Sequence, residues 1–231
     1  MDFQLTEEQK MFQTMVRDFA ANELKPVAAK IDEEGKCPLE IIKKAGSLGL
    51  FGVTISEDYG GCGGDYVCMA LAAEELCRAS ASVGTVFLAS LSLACYPIYK
   101  FGNEEQKKKY VTPLAKGEKL ACFALTESGA GSDAGALETS AVEQGGKFVI
   151  NGTKIFITNG AEAGTAVVFA NIDKSLGHRG ITAFLVEKGT PGFSVGKEEN
   201  KLAYAAHRLQ SLCLTTARYR QPTFWAKKVR D

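Results

Sequence analysis

The chain has 231 residues, 45% of them apolar, which suits one large domain or two small ones around a buried core. Its 27 basic and 27 acidic residues cancel, and no run of 18 apolar residues occurs, so no transmembrane helix is expected. Seven cysteines (Cys37, Cys62, Cys68, Cys77, Cys95, Cys122 and Cys213) lack C-x-x-C spacing, which excludes a zinc ribbon and a disulfide framework and leaves reduced thiols.

From the N-terminus, Met1-Asp2-Phe3-Gln4 has no basic n-region and no apolar h-region, so a cytoplasmic protein is expected. Thr6 and Gln9 make a capping box that opens a helix near Glu7. Met11, Phe12, Met15, Val16 and Phe19 recur at helical spacing and are read as core. Pro26 should end or kink this helix, and Pro38 starts another as an N1 proline, carried by Ile41, Ile42, Ala45 and Leu48 to Gly49. Tyr59-Gly60-Gly61-Cys62-Gly63-Gly64 reads as a flexible connector. Helical patterns follow from Tyr66 to about Cys77 and from about Ser82 to Tyr99, the second with Val86, Phe87, Leu91 and Leu93 as core. A third opens at Glu104-Glu105, with acids at the end the dipole favours, and stops near Gly117.

After Leu120 the period changes. Leu120–Thr126, Phe148–Ile150, Lys154–Thr158, Ala166–Ala170 and Ile181–Val186 are short, rich in β-branched and aromatic residues, and separated by Gln144-Gly145-Gly146 and Asn151-Gly152. The fold class is therefore α+β. An all-α N-terminal domain, residues 1–118, precedes an antiparallel, barrel-like β domain, residues 119–202. His178 and His207 are too few and too isolated for a metal site or a catalytic triad, and no metal is assigned.

The chemistry-bearing stretch is Cys122-Phe123-Ala124-Leu125-Thr126-Glu127-Ser128-Gly129-Ala130-Gly131-Ser132-Asp133. A strand breaks there into a loop of small residues. Such loops let a ligand approach the backbone, and free N–H groups can hold anionic or carbonyl oxygens. Gly129-Ala130-Gly131 is not a dinucleotide fingerprint, since no third glycine follows in place. On spacing alone, a tight turn between strands reads equally well. A second string, Asn151-Gly152-Thr153-Lys154-Ile155-Phe156-Ile157-Thr158-Asn159-Gly160, follows.

Together the two strings resemble the flavin-contacting signatures of the acyl-CoA dehydrogenase family, whose usual first form is F-x-L-T-E-P-x-x-G-S-D. Ser128 replaces the proline, and Phe156 replaces the common tryptophan, as in the short-chain, butyryl-type branch. The resemblance implies FAD as cofactor and oxidation of a short-chain acyl-CoA to the trans-2-enoyl-CoA, with electrons passed to an electron-transfer flavoprotein. By that likeness Phe123, Ala124, Leu125 and Thr126 contact the isoalloxazine. Phe156, Ile157 and Thr158 cover its face away from substrate, with the Thr158 hydroxyl near N5. Ser132 touches the CoA part of the substrate, and Gly131 lets it approach. Glu127 and Asp133 are expected to fix the loop rather than to act as acid and base. The likeness also implies that the Tyr59–Gly64 segment lies near the acyl-CoA site, and that Cys95 and Tyr96 stand near the acyl pocket.

The resemblance holds to about residue 202 and then stops. Six of the 27 basic residues and one of the 27 acidic residues fall in 203–231, leaving 21 against 26 in residues 1–202. A basic arm for nucleic acid or membrane is the direct reading; a shifted reading frame explains the segment better. Codons can be chosen for residues 203–231 so that one added base in front yields GLCGTSTAEPLFDDCKVPAANILGKEGEG, which is similar to the family continuation throughout. The family's C-terminal helical bundle, which bears the glutamate base, part of the FAD site and most contacts of the homotetramer, is then absent. No catalytic residue is assigned, neither nucleic acid nor membrane is expected as a partner, and the chain is expected to be inactive by itself. The rival is a non-catalytic flavin- or acyl-CoA-binding fragment with a basic interaction tail.

Overall fold

The computed structural model describes residues 4–201 and 206–219. The helical part runs α1 (Glu7–Phe19), α2 (Ala28–Glu34), α3 (Leu39–Ser47), α4 (Tyr66–Ala79), α5 (Ala81–Leu88), α6 (Tyr96–Phe101), α7 (Glu104–Gln106) and α8 (Thr112–Ala115). The capping box of Thr6 and Gln9 is present in both directions. α1 loosens into a π-turn and a 3-10 turn around Pro26 before α2 begins. Pro38 caps α3 from outside, with Leu39 its first helical residue. Asn103 and Gln106 form a second capping box.

α5, a π-helical stretch at Ala89–Cys95 and α6 form one rod, Ala81–Phe101. By length and composition this rod could cross a membrane, although Ser and Thr punctuate it and leave no uninterrupted apolar run. Its most apolar window is 61% buried inside the protein. Val86, Phe87 and Leu91 face the core as expected, whereas Leu93 is 48% exposed and Met11 on α1 is 72% exposed. These two do not belong to the core.

The β part holds β1 (Ala121–Ala124), β2 (Ser140–Gln144), β3 (Lys147–Thr158), β4 (Thr165–Asn171), β5 (Ile181–Glu187), β6 (Phe193–Glu198) and β7 (Leu209–Tyr219). They form one curled sheet in the order β1-β4-β2-β3-β7-β6, with β5 on β4. The sheet is mixed rather than purely antiparallel. β1 runs parallel to β4, as does the start of β2, because a long excursion separates β1 from its partner. Gly145 and Gly146, both at positive φ, turn β2 into β3. Asn151-Gly152 is no turn. It lies within β3, where a Cβ on Gly152 would stand 2.2 Å from Thr139 Oγ1 and 2.8 Å from its Cα.

β4 is buried along its whole length. Val167 and Phe169 join the helical core, together with Ala121 of β1 and Ala183 and Leu185 of β5. Ala166, Val168 and Ala170 join the inner core of the curled sheet with Cys122, Phe184, Ile150, Leu212 and Leu214. Of the basic tail, residues 209–219 are β7, between β3 and β6. Residues 203–205 and 220–231 lie outside the described residues.

Candidate functional site

The two strings meet where the strand following β1 leaves the sheet. Thr126 accepts a backbone hydrogen bond from Ile155 N at 2.9 Å, which lays Leu125 and Thr126 beside the middle of β3. Beyond Thr126 the chain closes a tight turn. Glu127 N donates to Ala130 O at 2.9 Å and Ala130 N donates to Glu127 O at 3.2 Å, with Ser128 and Gly129 at the exposed tip.

Under this turn sits a buried ion pair. Glu127 is 8% exposed, and it accepts from Glu138 N (2.6 Å), Thr139 N (3.0 Å), Thr139 Oγ1 (2.5 Å) and Lys154 Nζ (2.7 Å). Lys154 has no exposed side-chain surface, and it also donates to Leu125 O at 2.9 Å. Burial alone would raise the Glu127 carboxyl. The donors from Lys154, Thr139 and the Glu138 amide outweigh it and leave the carboxyl below its ordinary value. Burial pulls the Lys154 ammonium below the usual lysine value, and Glu127 restores part of the loss. The pair joins one string to the other. Asp133 does something smaller, accepting from Gly135 N at 3.2 Å in an exposed turn.

Lys154 lies outside the site residues the family likeness names, yet the sequence carries a signal for it. It shares the parity of the inward Phe148 and Ile150, so regular alternation turns it inward. A register shift between Lys154 and Ile157 then flips the strand by one residue. Ile157 therefore points into the inner core, while Phe156, at φ +57°, is 54% exposed. Phenylalanine in the left-handed region is strained. Asn159, also at positive φ, is buried, and its Nδ2 donates to Val86 O at 3.2 Å and Ala121 O at 3.3 Å, fastening the rod to β1.

The predicted residues thus fall into three groups. Phe123, Leu125, Thr126, Phe156 and Thr158 lie at least partly accessible along one margin of the sheet, Phe123 with its ring centroid 4.8 Å from that of Phe169. Ala124 and Ile157 send their side chains into the inner core, so only their backbone can meet a ligand. Gly131 and Ser132 lie exposed past the turn, and a Cβ on Gly131 would meet nothing within 4 Å. Thr158 Oγ1 is 2.7 Å from Nε2 of half-buried His207, whose Nδ1 faces Lys201 Nζ at 3.2 Å. Burial, then the Lys201 charge, push His207 down to about 4. An outward aromatic, a half-buried leucine and the two hydroxyls of Thr126 and Thr158 along one margin suit a planar ring with a polar edge, and the open loop leaves room for it.

The N-terminal domain family of acyl-CoA dehydrogenases matches residues 6–118, and the middle domain family matches residues 122–217, past the point where the motif resemblance stops. The short-chain specific acyl-CoA dehydrogenase of Clostridium acetobutylicum is 50% identical over 206 residues, which cover 89% of this chain and 54% of that protein. The butyryl-CoA dehydrogenase structure from Megasphaera elsdenii superposes with a TM-score of 0.92 at 40% identity, covering 97% of this chain and 60% of that one. A Bacillus anthracis acyl-CoA dehydrogenase solved in complex with FAD superposes with a TM-score of 0.87 at 37% identity, covering 95% of this chain and 38% of that one. The chain spans about half the length of the curated relatives it matches.

Proposed function

Because the chain belongs to the acyl-CoA dehydrogenase family, over its N-terminal and middle domains, we propose that it is the flavin-facing part of a short-chain, butyryl-CoA-type dehydrogenase. The observation that carries this reading is the Thr126–Ile155 hydrogen bond, which sets the two strings side by side as one surface. When bound, FAD supplies the acceptor for the β-hydrogen of the acyl-CoA. The chain's own part is to bind and orient. Phe156 and Leu125 offer apolar contact to the ring, and the Thr126 and Thr158 hydroxyls with nearby backbone amides meet its polar edge. Ser132 and the open backbone at Gly131 receive the CoA portion. An electron-transfer flavoprotein is the partner this reaction calls for, and the tetramer is the assembly the family resemblance implies.

The segment from residue 203 is proposed to be an out-of-frame product, and two misfits in β7 support this. Gln210 is 1% exposed, and its Nε2 has no hydrogen-bond partner among the described residues. Thr216, β-branched, sits at φ +53°. Whatever synonymous codons are used, one added base before codon 203 puts Ala, Ser, Thr or Pro at 210 and Asp, Asn, His or Tyr at 216. The orphan carboxamide goes, and the left-handed position receives a residue that is not β-branched. The test is FAD uptake by the purified chain, followed by dye-coupled butyryl-CoA oxidation, for this chain and for the product of the restored frame read on past codon 231 into the helical bundle. Turnover in the restored product and none in the 231-residue chain is expected. Robust turnover by the 231-residue chain overturns the claim of inactivity, and a restored product that takes up no FAD overturns the flavin reading.

A further inference from the structure

Lys154 stands in a place that does not require it. An ammonium taken fully out of water loses its hydration, a cost that a neutral side chain of the same length would not bear. Its partner does not explain it either. Glu127 already accepts from two backbone amides and the Thr139 hydroxyl, which fill its hydrogen-bonding capacity, so from Lys154 it takes chiefly a counter-charge. What the lysine alone supplies is the hydrogen bond to Leu125 O.

That carbonyl belongs to the Leu125–Thr126 peptide, whose other polar end is Thr126 N–H. Thr126 O is occupied by Ile155 N, whereas Thr126 N–H finds no acceptor among the described residues. A cation on a peptide oxygen increases the double-bond character of the C–N bond and strengthens the N–H as a donor. The ion pair has no net charge, so the effect is local and directional rather than a field over the whole site.

We propose that Lys154 is a positioning residue of the cofactor loop, holding the Leu125–Thr126 peptide so that Thr126 N–H is presented, polarised, to an anionic or carbonyl acceptor on the edge of the bound ring. This rests on the flavin reading above and adds to it a residue that acts through another. Glu127 is the counter-charge that lets the ammonium stay buried.

The full chain is compared with Lys154→Met, Lys154→Arg and the double variant Glu127→Gln/Lys154→Met. The first readout needs no flavin: in the ¹⁵N-labelled chain, the Thr126 amide proton moves upfield in Lys154→Met and stays near its original position in Lys154→Arg. The second is FAD affinity, with the dissociation constant rising roughly tenfold in Lys154→Met, as for the loss of one charge-assisted hydrogen bond. The third is the reduction potential of the bound FAD, which falls in the same variant. The double variant has no unpaired buried charge and recovers the melting temperature, but neither the amide shift nor the affinity. An unmoved Thr126 amide in Lys154→Met overturns the proposal. So does a double variant that regains affinity together with stability, because Lys154 is then merely structural. A frame-restored product that takes up no FAD overturns the flavin reading, and the amide shift alone then decides the role of Lys154.

Discussion

Phe156 carries an apolar ring into solvent from a backbone conformation that disfavours it. Glycine relieves that strain, worth about 1 kcal/mol at such a position, and little burial is lost. Phe156→Gly should therefore leave urea stability unchanged or slightly raised while weakening FAD binding about tenfold, which fluorescence titration measures. Equal loss of both would mean the ring serves the fold. The residues at this margin were legible because two strings identified them jointly. The strand reversal that separates Phe156 from Ile157 was not, since alternation carries no mark of an inserted residue. Met11 and Leu93 show a second limit. Helical spacing marks an apolar stripe, but which part of the stripe is covered depends on neighbours far away in sequence.

At the level of elements, the joint between the rod and β1 depends on Asn159. Asn159→Ala removes two buried hydrogen bonds and puts alanine at φ +64°, so a loss of about 2–3 kcal/mol is expected in urea unfolding. Asn159→Gly keeps the conformation and should lose less. Gly152→Ala would drive a Cβ into the Thr139 backbone and disturb the residue that holds Glu127, costing about 1–3 kcal/mol by overpacking. A smaller effect would mean β2 and β3 can slide apart. Asn151-Gly152 suggested a turn because those residues favour turns. Here the glycine permits close approach, and composition does not distinguish the two uses. The helices were legible from their caps and periods, except α2, which has no side-chain cap. Strands β2, β6 and β7 were not, since β2 and β6 expose most of their side chains and lack an apolar signature. The parallel pairing of β1 with β4 leaves no trace in local sequence at all.

For the whole molecule, acid is the sensitive direction. The Arg17 hydrogen bond holds Glu75 below its ordinary value, Lys109 does the same for Glu187, and Glu127 also lies low. Their contribution is complete above the ordinary carboxylate value near 4.5 and is lost as pH falls through the folded values. His207 titrates at about 4 when folded, against 6.5 ordinarily, so the unfolded chain takes up its proton first. Stability should therefore begin to decline already below pH 6.5, and the decline due to His207 should be complete by about 4. His207→Gln should flatten that limb in urea midpoints measured against pH, and an unchanged limb would exclude His207 as its source. The two-part organisation was legible from the change of period near residue 120. How the parts are joined was not, because the strand that joins them reads only as a short apolar run. β4 gives alternate side chains to the helical core and to the inner core of the sheet. Neither core can loosen without exposing one face of that strand, so the two family segments share a single cooperative unit. Calorimetry should record one endotherm, with calorimetric and van't Hoff enthalpies equal, where two matched domains in sequence would suggest two.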